Sequence, residues 1–229
     1  VDSSSEIYYK VMFTRGATQS HAPSNPISDK NFHLPLFYFF IYICTINPMI
    51  MKTLRYFYHP NLTPYAYFDG RQNFSQIQST WNQLNAKING IIADIGSVNI
   101  KIGGYDVVAL GKELHTVADF YAHSNYVDLY VGYYKSNNNG NMPTTIPTYE
   151  EGLQDAGFKE ILKSNLRTGD FNLFDNEKTN PNGARAQSPT SHNKMNKDNI
   201  NTPLGKLAKN VAIKHTTQIF NQLKNKLDD

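Results

Sequence analysis

Cysteine is nearly missing from this chain of 229 residues: Cys44 stands alone. One thiol excludes an internal disulfide framework and any cluster of thiolate ligands, so a metal site here has to be built from His, Asp, Glu or Asn. Charge is scarce as well. Only 18% of the residues are charged, and 22 basic against 19 acidic side chains leave +3 at neutral pH. That excess is too small for the concentrated basic surface of a nucleic-acid protein, so nucleic acid is not a favoured partner. No Ser or Cys nucleophile motif stands out, and no internal repeat is present. The Gly103–Gly104 pair and the NNNGN tract at 137–141 lack the flanking strand, helix and lysine of a phosphate-cradling loop. What the chain has in quantity is apolar residues (40%), with 15 Tyr and 13 Phe, and uncharged polar residues, Asn above all. Its length suits one large domain, or one domain with an appendage, and suffices to bury a core.

Two parts are expected. Residues 1–60 read as an irregular N-terminal segment that contains the uncharged run LPLFYFFIYICTINPMIM, Leu34–Met51. Its length approaches the roughly 17–25 residues of a membrane span. Pro35, Asn47, Pro48 and the density of Tyr and Phe instead favour a buried, partner-facing or lipid-surface segment. It lacks the position and the small-residue cleavage site of a signal peptide. Residues 61–229 read as a helical domain with long irregular loops. Phe74, Ile77, Trp81, Leu84, Ile88, Ile91 and Ile92 recur at helical spacing, and a second helix is expected from about Tyr105 to Tyr130. Residues 136–148 are a loop by composition, 149–166 a short helix, and 167–203 a polar loop of unusual length. Leu207, Val211, His215, Ile219, Leu223 and Leu227 form an i, i+4 ladder on a C-terminal helix. The fold class is therefore mainly α, a multi-helix bundle.

The second helix carries the chemistry. His115, Asp119 and His123 stand at i, i+4 and i+8, so all three project from one helical face. Two imidazoles and a carboxylate suit a borderline metal such as zinc, and the carboxylate can alternatively orient an imidazole. The bland reading is an amphipathic helix with a solvated polar face, on which Lys112 and Thr116 also fall. Phe120, Tyr126 and Val127 flank that strip and favour a helix buried among others, where such polar groups need a partner. His215, on the apolar ladder, reads as a satisfied core histidine or as a donor to a ligand. His192 and Asp69, taken alone, read as an exposed histidine and a turn residue.

The run LGKELHTVADFYAHSNYVDL resembles the signature helix of the HET-C-like proteins, which are similar to the zinc-dependent phospholipase C and single-strand nuclease superfamily. YAYFDG at Tyr65–Gly70 and SHNKMNKD at Ser191–Asp198 fit the same resemblance. It implies a helical domain with zinc in a cleft between helices, held by His115, Asp119, His123, His192 and Asp69, and catalysis by Asp69 and Asp119. Tyr67 stands where the family places a histidine, and Asn196 where the phospholipase branch places a glutamate. The first sixty residues match no N-terminal ligand cluster. One or two zinc ions are therefore expected rather than three.

The function so implied is zinc-dependent hydrolysis of phosphodiesters, most directly phospholipid head groups at a membrane surface, by a secreted or exported protein of effector or toxin type. Two alternatives accompany it. One is a catalytically degenerate HET-C-like module that acts through membrane or partner contact. The other is a single-strand nuclease on the same scaffold.

Overall fold

The computed structural model describes residue 68 and residues 72–96, 104–169, 180 and 182–228. The expectations for residues 1–60, for Leu34–Met51 and for Asp69 lie outside the described residues. The described chain is helical: α1 Phe74–Gly96, α2 Gly104–His123, α3 Tyr126–Asn137, α4 Tyr149–Gly152, α5 Ala156–Asn165, α6 Ala184–Gln187, α7 His192–Met195 and α8 Pro203–Asp228. Among the described residues no helix is long and apolar enough to cross a membrane.

The chain divides into two compact units, and α1, α2 and α8 each contribute residues to both. The described part of the first comprises residues 83–96, 104–116 and 216–228. Its buried apolar residues are Leu84, Ile88 and Ile92 on α1, Leu110 and Leu114 on α2, and Ile219, Phe220 and Leu223 on α8. Glu113 is also buried and pairs with Lys87 across this unit.

The second unit, Tyr67–Asn82 and Val117–His215, is built around rings. Trp81 packs within 5.2 Å of Phe68 and Phe120, and stacks on Tyr149 at 5.3 Å and on His215 at 5.2 Å. Phe120, Tyr121, Tyr126 and Phe158 extend the cluster. Each such ring pair adds about 0.5–1.5 kcal/mol beyond its area burial. The short segment 166–169 joins α1 to α2: Asn73 pairs with Arg167 and Ser124 with Thr168 in antiparallel bridges. Helix α3 packs on α5.

Three expectations are corrected. The single helix over 105–130 is broken at Ser124–Asn125, because the carbonyls at the end of α2 are taken by other partners. Ala122 O accepts the Lys197 amide at 3.0 Å and His123 O accepts the Gly169 amide at 2.7 Å. The Asn125 amide, in turn, donates to Arg167 O at 3.1 Å instead of continuing the helix. The helix over 149–166 is two helices. Thr148 and Glu151 form a reciprocal capping box on α4, and Asp155 caps α5 by accepting the Phe158 amide. Finally, the polar loop over 167–203 contains the one-turn helices α6 and α7, the latter capped by Ser191.

Candidate functional site

Helix α2 is buried on nearly all sides. From Leu110 to Ser124 every residue is buried except Asp119, which is half-buried. The solvated-face reading of Lys112 and Thr116 therefore fails, and the buried-helix reading holds. His115 is 6% exposed and His123 8%. His115 belongs to the first unit, whereas Asp119 and His123 belong to the second.

Within the second unit the structure brings His123 together with Asp198, the acid two residues past Asn196 that stood outside the candidate ligands. Asp198 Oδ2 lies 3.4 Å from His123 Nε2, at the long end for a hydrogen bond, and Asp198 is 1% exposed. Asp119 stands one helical turn before His123 on the same face. Asp198 follows α7, the one-turn helix that begins at His192. Its amide donates to Asn196 Oδ1 at 2.7 Å, which sets the turn of the chain there.

Lys197 fixes this loop to α2. Its buried ammonium donates to Ser124 O and to Met195 O, each at 2.7 Å, and pairs with Asp128 Oδ2 at 2.8 Å. All three ammonium hydrogens thus have acceptors, and the positive charge sits at the C-terminal end of α2, where the helix dipole favours it. Burial nevertheless pushes the Lys197 amine below its ordinary value, more than Asp128 and Asp198 raise it.

A second polar group lies inside the ring cluster. The Tyr149 amide donates to the Tyr121 oxygen at 2.9 Å, the Tyr121 hydroxyl lies 2.8 Å from His215 Nδ1, and His215 Nε2 lies 3.2 Å from Glu150 Oε2. Hydroxyl, imidazole and carboxylate stand in the order of a hydrolase triad. Tyr121 has no exposed surface, so no substrate reaches its oxygen, and burial holds its hydroxyl far above the ordinary tyrosine range. His215 is accordingly the satisfied core histidine, the first of the two roles its position on the ladder allowed.

Buried imidazole and carboxylate are the donor types zinc takes. Among the described residues, however, no group of three or more His, Cys, Asp or Glu side chains stands together to hold a metal ion. Asp69 and the side chain of His192, two of the sequence candidates, lie outside the described residues. The signal for Asp198 was its place in an adjacent Lys–Asp pair within an Asn-rich tract, which marks a charged spot without naming its partner.

Comparison with family models, with curated proteins and with solved structures finds no match to this chain.

Proposed function

We propose that this chain is a zinc-dependent hydrolase of phosphodiesters, of the HET-C-like, phospholipase C-like kind, with phospholipid head groups as its substrates. The observation that supports it is the buried His123–Asp198 pair, one helical turn from Asp119, at the capped end of a buried helix. Uncapped, that end would fray; the Lys197 ammonium and the Gly169 amide hold it, and with it the direction of the His123 ring. Asp198 serves either as a ligand beside His123 or as the acceptor of the His123 Nε2–H that turns Nδ1 toward a ligand position. Asp119 supplies a second carboxylate from the same helix, and the resemblance adds His192, His115 and Asp69 as donors. Zinc held there supplies a bound hydroxide at neutral pH and a positive charge for phosphoryl oxygens.

A second reading has its own observation. The lack of a three-donor group among the described residues fits a catalytically degenerate HET-C-like module that acts through membrane or partner contact.

Metal analysis of the purified chain, followed by hydrolysis assays on choline phospholipids and on single-stranded DNA, separates the two. The hydrolase is expected to carry one or two zinc ions and to turn over the lipid, and Asp198→Asn to lower kcat/KM by about 10–100-fold. No stoichiometric metal and no turnover on either substrate leaves the degenerate module. Turnover of DNA alone transfers the site to a nuclease.

A further inference from the structure

The position of the His215 proton is set by its neighbours. The Tyr121 oxygen accepts the Tyr149 amide hydrogen, which leaves the hydroxyl's own hydrogen for His215 Nδ1. Nδ1 is then the acceptor, and the imidazole carries its proton on Nε2, facing Glu150. In that tautomer the Tyr149 amide and Tyr121 hydroxyl hydrogens both have acceptors, and Nε2–H lies at ion-pair distance, 3.2 Å, from Glu150 Oε2. A second proton reverses the Nδ1 contact. Nδ1–H would point at the Tyr121 oxygen, and the hydroxyl hydrogen would lose Nδ1 as its acceptor on a side chain with no exposed surface.

The charges that face the imidazole come from two helices. Glu150 and Glu151 of α4 favour the imidazolium, while Lys214 of α8, itself paired with Glu151, opposes it. Tyr121 of α2, Tyr126 of α3 and Tyr149 of α4 are neutral, since burial raises all three hydroxyls. From α1 comes the uncharged face of Trp81. Burial of the ring outweighs the carboxylates and holds His215 below an ordinary histidine. The Glu150 side chain is 42% exposed, but the Oε2 that faces His215 is buried.

We propose that the Tyr121–His215–Glu150 chain is an acid-released latch: proton uptake at His215 frees α4 from α2 and α8 while the rest of the second unit stays folded. The sign follows from linkage. The latched state binds the proton less well than the opened one. The stability it contributes is therefore complete above about pH 6.5, the value of a free histidine, and is lost as the pH falls below that. With one proton taken up per opening, the opening constant grows about tenfold per pH unit.

The test is amide hydrogen exchange and histidine nitrogen spectroscopy by NMR on the full chain between pH 7.5 and 5. The protection of the Tyr149 amide, corrected for intrinsic exchange, is expected to fall about tenfold per unit below about pH 6.5. The Leu162 amide on α5 is expected to keep its protection, and His215 to show the neutral Nε2–H pattern. In His215→Gln the slope at Tyr149 disappears. Four outcomes overturn the latch: flat Tyr149 protection, equal loss at Leu162, an Nδ1–H pattern, or a slope that persists in His215→Gln. If His215→Gln does not fold, the slope and the tautomer of the unaltered chain decide alone.

Discussion

Lys197 shows how much one side chain does here. Its ammonium donates to Ser124 O just past the end of α2, closes the turn at Met195 and meets Asp128, while its own amide takes Ala122 O. Lys197→Met keeps the stem but leaves the Ser124 and Met195 carbonyls without that donor in a buried place. Denaturant titration is expected to show a loss of about 2–3 kcal/mol. Lys194→Met, at an exposed position of α7, is expected to stay within about 0.5 kcal/mol. Glycines divide in the same way. Gly205 lies in the first turn of α8, where its amide donates to the Thr202 hydroxyl, and a Cβ there would overlap the Asn199 carbonyl. Gly205→Ala should therefore cost about 1–3 kcal/mol. Gly132 on α3 meets nothing, and Gly132→Ala should stabilise by about 0.5–1 kcal/mol through helix propensity alone, read in the same titration.

Between helices, the pair of Lys87 on α1 and Glu113 on α2 is a buried carboxylate held by a half-exposed amine. Burial raises the Glu113 carboxyl above its ordinary value, and Lys87 and Lys112 pull it back without cancelling the shift. Lys87→Met removes the nearest compensation. At pH 7 it should destabilise the fold by about 1–3 kcal/mol, more than Glu113→Gln, which removes the buried charge itself. The sign with pH is fixed: a carboxyl raised in the folded state is neutral there at a pH where the unfolded chain is already ionised. The cost of Lys87→Met should therefore shrink as the pH falls through the raised value, and thermal melts from pH 7 to pH 4 follow it. These elements were legible in the sequence to different degrees. The stripe Ile77, Trp81, Leu84, Ile88 and Ile92 gave α1, and the ladder of the last helix gave α8, because a long amphipathic period reports burial directly. The break after His123 was not legible, since the groups that end α2 come from Gly169 and Lys197, and local pattern carries no information about them. Asp198 was missed for the same reason: its contact with His123 joins residues 75 positions apart.

At the scale of the molecule, the second unit's described contacts are ring packing, helix caps, the bridges of segment 166–169 and the Lys197–Asp128 pair. Trp81 sits at the centre of that packing, 1% exposed, and it is the chain's single tryptophan, so its fluorescence reports this unit alone. A chelator therefore distinguishes what a bound ion would do for the fold from what it would do for the chemistry. If zinc serves hydrolysis, removing it with EDTA should leave the helical circular dichroism and the blue-shifted Trp81 emission unchanged. Lipid turnover should stop and return on adding zinc. A structural ion behaves otherwise, because its binding free energy is folding free energy and its loss unfolds what it holds. Loss of helicity and a red shift of Trp81 on chelation would place the metal in the scaffold and count against a hydrolytic centre at His123 and Asp198. An unchanged spectrum with turnover that persists in EDTA would remove zinc from the mechanism altogether.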